Sequence, residues 1–392
     1  MKIKSLLFGV AGSIAVTGAQ AADLPAPEPV DYVRICDAFG TGFYYIPGTE
    51  TCIRVFGRLR ADYNLWSAQT GVYTAAAAGT EQGWRFRARA YIRVDTRTNT
   101  EFGLLRTFID LWITNDNVSV NQAPFAAPRR GTITLFSAFI QFGGLTAGRT
   151  ASFLDTGFGT TYGFFWNAGR SSTWTNVLAY TFAFGNGVSA SISLEGVGGT
   201  FSAAGTQLGV YSGYFYPDIV ANVRVDQGWG SAQLSLIAHH NRLLGVINSY
   251  GWGGNLGVNF AIPSMNATAF IQGAYGNGAI AAVHASWDCA FCFDFNAVGA
   301  RTRAWSISGG LGFALTPQVS AGVEAGYMSH NFAAPAGVGD FTRWDLQGQI
   351  SYRPVAGLLF GFAVEYRRFN FGAAGVGNLS DVAGLFRIQR DY

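Results

Sequence analysis

Lysine is almost absent from this chain, and charge of either sign is scarce. Only 12% of the 392 residues are charged, and the 26 basic residues include just two lysines, Lys2 and Lys4. The other 24 are arginines, against 23 acids, which leaves that part of the chain close to neutral. Nucleic-acid-binding domains normally carry a basic face and a high pI. The composition therefore gives no support to a nucleic-acid partner.

Long hydrophobic runs are missing too, since no stretch of about 18 apolar residues is present to form a transmembrane helix. Nevertheless 49% of the residues are hydrophobic, 15% are aromatic and 52 are glycines, which is unusual for a soluble protein. Transmembrane β-strands reconcile these observations, because side chains alternate between two faces and every second residue can be polar or small. The sequence therefore favours a membrane protein built from strands.

Motifs of enzyme chemistry are also absent: the sequence has no HExxH, P-loop, complete GxGxxG or GxSxG. Its four histidines are His239, His240, His284 and His330. The adjacent pair would point to opposite faces of a strand and could not bind one metal ion together. We expect no enzymatic activity, no metal and no cofactor.

The first 21 residues are typical of a signal peptide. Lys2 and Lys4 precede an apolar stretch at residues 6–16, and residues 19–21 form a small-residue cleavage site. The apolar stretch is too short for the alternative, an uncleaved anchor helix. We expect the mature chain to begin at Ala22, beyond the inner membrane, with residues 22–52 forming a proline-rich leader and a cysteine loop.

The four cysteines fall into two pairs. Cys36 and Cys52 flank an aromatic and glycine-rich segment, and in an oxidising compartment a disulfide between them is favoured over free thiols. Cys289 and Cys292 form a lone CxxC in a predicted long loop. A zinc site there is disfavoured because a second pair and a histidine at ligand spacing are both lacking. A small loop disulfide is favoured over free thiols or redox activity.

The strongest strand pattern lies at residues 84–95. Its even positions are apolar, while its odd positions carry Arg85, Arg87, Arg89, Tyr91, Arg93 and Asp95. Burying unpaired charges in a soluble core costs several kcal/mol or more. A water-filled interior behind a lipid-facing wall accommodates them, and that arrangement is typical of a transmembrane β-barrel.

The same alternation recurs at residues 188–195, 251–260 and 343–352. About 16 such segments fill residues 53–392, joined alternately by short turns and by longer loops rich in Ala, Gly and Ser. The longer loops are predicted near 196–207, 242–250, 277–301, 329–341 and 370–380. The sequence therefore predicts an all-β protein, a transmembrane antiparallel barrel of about 16 strands with a water-filled channel.

Several segments resemble the alphaproteobacterial outer-membrane porins. These are YVRICDAFG at 32–40, YIPGTETC at 45–52, GGLTAGR at 143–149, PDIVANVRVDQ at 217–227 and FRIQRDY at 386–392. The resemblance implies a homotrimeric general diffusion porin in the bacterial outer membrane, in contact with lipid and lipopolysaccharide. It would let small hydrophilic solutes and ions pass.

The resemblance also implies that the third long loop folds inward and narrows the pore. We place this third loop at about residues 152–175, where Asp155 is the only acid. An arginine ladder would line the opposite wall: Arg58, Arg60, Arg85, Arg87, Arg89, Arg93 and Arg106. We expect the ladder to meet Asp155 across the constriction and to favour anions weakly. Alternatively, these arginines pair with acids and only keep the interior wet.

Two other functions are compatible with the sequence. A substrate-selective channel, for a sugar or an anionic metabolite, would need an ordered row of aromatic residues along the interior. A barrel enzyme such as an outer-membrane phospholipase would need a serine beside a histidine on the outer face, and neither His239 nor His240 has an obvious serine partner.

Overall fold

The computed structural model describes residues 34–67, 83–117, 131–162, 169–196, 215–243, 245–284, 294–295, 299–331, 340–372 and 378–392. Within these ranges no helix is long and apolar enough to cross a membrane. The helices seen there are three short 3-10 turns, at Asp37–Phe39, Pro263–Met265 and Ile280–Ala282. The signal peptide and most of the leader lie outside these ranges, as do Cys289 and Cys292.

Strands make up most of the described chain. In order they are β1 Tyr44–Tyr45, β2 Cys52–Trp66, β3 Trp84–Thr100, β4 Gly103–Asp116, β5 Thr132–Phe142, β6 Leu145–Ala151, β7 Trp174–Gly185, β8 Val188–Glu195, β9 Asp218–Gln227, β10 Gly230–Leu243, β11 Ile247–Ile262, β12 Ala267–Asn277, β13 Arg303–Ala314, β14 Val319–Asn331, β15 Phe341–Tyr352, β16 Leu358–Phe371 and β17 Leu379–Asp391.

The 16 strands from β2 to β17 form a closed antiparallel barrel. Each strand pairs with the next along the chain, and β17 returns to β2 in a register that runs from Asp391↔Arg58 to Ala383↔Trp66. The predicted barrel and its strand number are confirmed. The two-residue strand β1 pairs with the start of β2 and lies outside the ring.

The barrel's two faces follow the alternation of the sequence. On β3, the outward side chains of Trp84, Phe86 and Ile92 are 49%, 49% and 42% exposed, whereas Arg89 and Tyr91 on the other face are 5% and 2% exposed. An apolar exterior suits lipid. Because lipid tails cannot form hydrogen bonds, ring closure is needed to pair the backbone N–H and C=O groups of every strand. The barrel interior is therefore polar.

The two ends of the barrel differ in their connections. Turns of a few residues, such as 101–102 between β3 and β4, lie at the end that holds both termini of the barrel. Longer loops lie at the other end, except between β10 and β11, where the connection is short. The long loop predicted at 242–250 is therefore wrong. There β10 continues to Leu243 and β11 begins at Ile247, with Gly245 at a φ of +74° in the turn. Glycine suits this tight connection because it has no Cβ to clash at positive φ.

The N-terminal cysteine loop packs at the short-turn end. Cys36 and Cys52 form a disulfide with their Cα atoms 6.1 Å apart, which confirms the predicted pairing. Both cysteines are buried against Phe43, which is itself 2% exposed. The disulfide therefore ties the segment before the barrel to the first residue of β2.

Candidate functional site

The arginine ladder lies on the polar face of three adjacent strands. Arg58 and Arg60 are on β2, Arg106 is on β4, and the other four members are on β3. The antiparallel register places the inward side chains of β2 opposite those of β3, as in the pair Arg60↔Arg89. Alternation within each strand and register between strands thus gather the predicted arginines on one patch of wall.

Three members of the ladder bind aspartates across β3 and β4. Arg87 donates from Nε and Nη2 to the two oxygens of Asp116, both at 2.7 Å, and Arg93 donates to Asp110 at 2.9 Å. Arg106 binds both oxygens of Asp95 at 3.0 Å. Two parallel hydrogen bonds fix a guanidinium in one plane, so Arg87 and Arg106 are held in place along the wall.

Two more members contact the acids of the barrel seam. Arg58 lies 2.5 Å from Asp391 on β17. Arg60 lies 3.2 Å from Asp62, which also accepts a 2.7 Å hydrogen bond from Arg387 on β17. The wall therefore continues from β4 through β3 and β2 to β17, and it includes Arg387, which was not among the predicted residues.

The last two members bind neutral groups instead of carboxylates. Arg85 donates to the side-chain oxygen of Asn64 at 3.0 and 2.9 Å, and Arg89 donates to the Thr114 hydroxyl at 2.9 Å. Arg89 also lies over the ring of Trp112, 4.5 Å from its centroid. Their positive charge is thus left without a paired acid among the residues described.

Positive charge is in excess on this wall as a whole. The inward positions of β2, β3, β4 and β17 carry ten arginines and six aspartates, an excess of four positive charges. The arginines are Arg54, Arg58, Arg60, Arg85, Arg87, Arg89, Arg93, Arg97, Arg106 and Arg387. The aspartates are Asp62, Asp95, Asp110, Asp116, Asp381 and Asp391.

Asp155 is not brought to the arginine ladder. Its carboxylate accepts a 2.7 Å hydrogen bond from the N–H of Thr173, within the third loop, with Ser171 beside it. The residue is half-buried, but its Oδ1 is shielded from water. Burial raises the pKa of Asp155 to about 7. No arginine is among its partners in the described part of the chain, so this acid holds the base of the loop together.

The first half of the third loop contacts the strands from β9 to β12. Asn222 on β9 donates to the Phe153 carbonyl at 2.6 Å, and Asn255 on β11 donates to the Leu154 carbonyl at 2.9 Å. Further along, the Thr156 hydroxyl donates to Gln272 on β12 at 2.6 Å. Polar side chains of these strands thus satisfy backbone groups that a loop otherwise exposes.

The loop packs closely where a strand carries glycine. The ring of Phe158 lies over Gly257 on β11, where an added Cβ would be 2.9 Å from the ring. The absence of a side chain at this position therefore makes room for the loop.

One carboxylate attaches the third loop to β14. Glu324 on β14 accepts hydrogen bonds from the Thr161 N–H at 2.7 Å, from Arg170 at 2.6 Å and from Gln347 at 2.8 Å, and also from the Thr160 N–H. Arg170 also donates a hydrogen bond to the Phe158 carbonyl within the same loop. No pattern in the sequence points to either member of this ion pair.

A second buried cluster lies near the long-loop end. His239 on β10 is 2.7 Å from Asp218 on β9 and 3.5 Å from Asp294. Its neighbour His240 contacts Asn248 at 2.9 Å instead. Among the residues described, no group of three or more His, Cys, Asp or Glu is arranged to hold a metal ion.

Comparison with known proteins agrees with this architecture. Residues 23–382 match the model of the porin subfamily. The chain is 33% identical over 409 residues to porin Omp2b of Brucella suis biovar 1, with 100% of both chains covered. Porin Omp2b of Brucella canis is 32% identical over 408 residues, again with 100% of both covered.

Solved structures share the fold at low sequence identity. The outer membrane channel DcaP of Acinetobacter baumannii superposes with a TM-score of 0.71 at 15% identity, covering 89% of this chain and 99% of DcaP. The match to a porin model and to Brucella porins over the whole chain accords with a closed 16-stranded barrel whose interior is charged. The chain therefore belongs to the porin subfamily, and it is a channel protein of the bacterial outer membrane and not an enzyme.

Proposed function

We propose that small hydrophilic solutes and ions diffuse through this porin along a passage between the arginine ladder and the third loop. The hydrogen bonds between the loop and β9, β11, β12 and β14 carry the proposal. In a ring of 16 strands, β9, β11 and β12 lie across from β2, β3 and β4, while β14 lies between them and β17. A loop fastened to that side narrows the open cross-section and leaves the ladder facing the passage.

We further propose that the passage favours anions. The excess of four positive charges on β2, β3, β4 and β17 supports this, because a wall of one sign surrounded by low-dielectric lipid concentrates ions of the opposite sign. Paired aspartates reduce the field without cancelling it. The preference is therefore partial, and cations also pass.

We propose that three copies assemble in the membrane, as the family resemblance implies. The outward side chains near the loop ends of β2 and β3 are Leu65, Trp84 and Phe86, all about half exposed in the isolated barrel. An apolar surface of this kind is buried either by lipid or by a neighbouring subunit.

A substrate-selective channel is the second candidate. The rings of Tyr91, Trp112 and Phe136 follow one another across β3, β4 and β5, with centroids 4.9 and 3.5 Å apart. Arg89 lies beside them. Such a cluster suits a planar organic anion, and it predicts a current that saturates with solute concentration. A diffusion pore predicts a linear rise.

Single-channel recording in a planar bilayer under a salt gradient tests these proposals together. We expect large ohmic steps that close in groups of three, with a reversal potential on the anion-selective side. The Glu101→Gln variant, in a short turn, is a control for charge changes outside the passage. Silence from correctly folded barrel would overturn the diffusion proposal, and a cation-selective reversal potential would overturn the proposed role of the ladder.

A further inference from the structure

The segment after β12 folds into the barrel at its long-loop end. Residues 278–284, here called the mouth segment, begin at Gly278 with a φ of +66°, which glycine adopts without strain. Ile280, Ala282 and Val283 are each 0% exposed. The segment contains no Asp, Glu, Lys or Arg. It is therefore a short, uncharged stretch of chain that packs against the interior wall.

An apolar area of the interior lies beneath the mouth segment. Ile280 and Val283 pack with inward side chains of β12 to β16, and these are Ala274, Ala304, Met328, Phe341 and Phe369. Inward side chains that border a water-filled channel are normally polar. Apolar side chains are instead stabilised by removal from water. The area beneath the segment is therefore separated from the channel water.

The mouth segment also reaches the third loop. Ala279 and Ala282 are buried together with Val220 on β9, Ile237 on β10 and Leu154 of the third loop. Together with the apolar area on β12 to β16, this contact extends the packed layer along the wall from β9 to β16. The mouth segment therefore lies on the same side of the interior as the attachments of the third loop.

Glycines on β11 leave room for the mouth segment. An added Cβ at Gly253 would lie 2.9 Å from the Ala279 carbonyl oxygen and 3.1 Å from the Ala282 Cβ. At Gly251, an added Cβ would clash with the Gly278 carbonyl. The segment thus lies directly on β11, at a distance that a larger side chain would prevent.

A buried carboxylate fixes the mouth segment to its surroundings. Asp294, which is 1% exposed, accepts a 2.8 Å hydrogen bond from the Ile280 N–H. Its other carboxylate oxygen lies 3.5 Å from Nε2 of His239 on β10. Its backbone carbonyl accepts a 2.9 Å hydrogen bond from the Thr302 N–H, just before β13. The segment is therefore held by polar contacts as well as by apolar packing.

Inward arginines on the two sides of the mouth differ in exposure. The side chains of Arg343 on β15 and Arg367 on β16 are 0% and 2% exposed, whereas that of Arg87 on β3 is 14% exposed. All three lie toward the long-loop end, and each forms an ion pair with an aspartate. Pairing therefore does not account for the difference. Water reaches the wall at β3 but is excluded from it at β15 and β16.

We propose that the mouth segment determines where solutes enter the channel. It covers the mouth over β9 to β16 and leaves an off-centre entrance beside Arg85 and Arg87, on the side of the arginine ladder. Anions then meet the ladder at the entrance, before they reach the third loop. Confining the entrance to a wall of one sign strengthens the field that a solute experiences. The proposal rests on the proposed diffusion of solutes and adds an uncharged determinant of selectivity.

Two variants that displace the mouth segment test the proposal. Ile280→Ser places a hydroxyl in the apolar cluster, and Gly253→Ala introduces a Cβ against the segment from β11. Both should raise single-channel conductance and speed the entry of larger uncharged sugars into proteoliposomes relative to the smallest sugar. Both should also move the reversal potential under a salt gradient toward zero. Val246→Ser is the matched control, because Val246 is exposed in the turn between β10 and β11.

A combined variant separates the entrance from a merely structural effect. Arg85→Gln should shift the reversal potential less in the Ile280→Ser background than in the unmodified protein, because anions are then no longer confined to the ladder side. Protease resistance of the strands checks that each barrel is folded. Conducting channels with unchanged sugar entry and reversal potential in both displaced variants would overturn this inference and leave the diffusion proposal intact. Equal shifts from Arg85→Gln in the two backgrounds would also overturn it. Absence of current from the folded, unmodified protein would instead overturn the diffusion proposal on which it rests.

Discussion

Arg170 and Glu324 form an ion pair with 2.6 Å between Nη2 and Oε2, although 154 residues separate them along the chain. One belongs to the third loop and the other to β14. Glu324 also accepts a hydrogen bond from the Thr161 N–H, so this carboxylate attaches two parts of the loop to β14. The position of these parts of the loop therefore depends on a contact with β14.

Replacing Glu324 with glutamine should loosen the third loop. The variant keeps the shape of the side chain but removes the charge that Arg170 binds. Breaking one partner of a buried ion pair costs ~3–5 kcal/mol. We expect single-channel recordings with a changed mean conductance and more current noise, while the barrel itself stays folded. Glu101→Gln should behave as the unmodified protein. A Glu324→Gln trace identical to that of the unmodified protein would contradict the proposed attachment.

Neutralising the arginines that lack a paired acid should reduce anion preference. We expect Arg85→Gln and Arg89→Gln to move the reversal potential toward the cation side, because each removes one positive charge from the wall. Asp110→Asn and Asp116→Asn should move it the opposite way. The measurement is the reversal potential under a salt gradient. If all four variants shift it in the same direction, the field of this wall does not govern selectivity.

The attachment of the loop's base should depend on pH through Asp155. Burial raises the pKa of this carboxyl to about 7, above the ordinary value of about 3.9. At pH values between these two pKa values, the Asp155 carboxyl keeps its proton in the attached loop but has lost it in the detached loop. The attachment therefore weakens as pH rises through this window and stays at its weaker level above pH 7. We expect less loop-derived current noise at pH 5 than at pH 8.

The Asp155→Asn variant is the test of that assignment. Asparagine is neutral at every pH, so the difference in noise between pH 5 and pH 8 should disappear. A pH dependence that survives this substitution would have to come from another group.

Breaking the Cys36–Cys52 disulfide should affect the N-terminal segment and leave the barrel intact. The two cysteines are 16 residues apart, and closing a loop of this length contributes about 3 kcal/mol in the chain-entropy model. We expect Cys36→Ser/Cys52→Ser to make residues 36–52 sensitive to protease while the strands stay protected. The Cys289→Ser/Cys292→Ser variant is the control for loss of cysteines elsewhere. Equal protease resistance in all three proteins would refute this expectation.

The barrel was predictable because the alternation of apolar and polar residues is visible within each strand's own sequence. Alternation from Trp84 to Asp95 shows in consecutive residues which face each side chain takes. The disulfide was predictable from compartment and spacing. In contrast, the ion pair of Arg170 and Glu324 joins distant segments, and no local pattern records it.

The error at residues 242–250 has a different origin. Asn248 and Ser249 are polar, so the sequence there is typical of a loop, yet both belong to β11. Strands that continue beyond the hydrocarbon layer no longer need an apolar outer face, so their hydrophobic pattern ends before the strand does. The sequence position of Asp155 specifies the loop but not the direction of its carboxylate, which accepts a hydrogen bond from the Thr173 N–H.

The pairing of β17 with β2 also constrains how the molecule folds. Arg58 and Asp391 are 333 residues apart, and the terminal residue Tyr392 exchanges backbone hydrogen bonds with Gly57. Contacts between such distant residues form slowly. Until they form, the first and last strands both present unpaired edges that invite aggregation. The ring can close only after β17 has been exported, so the nascent protein depends on protection of two open edges throughout its passage to the membrane.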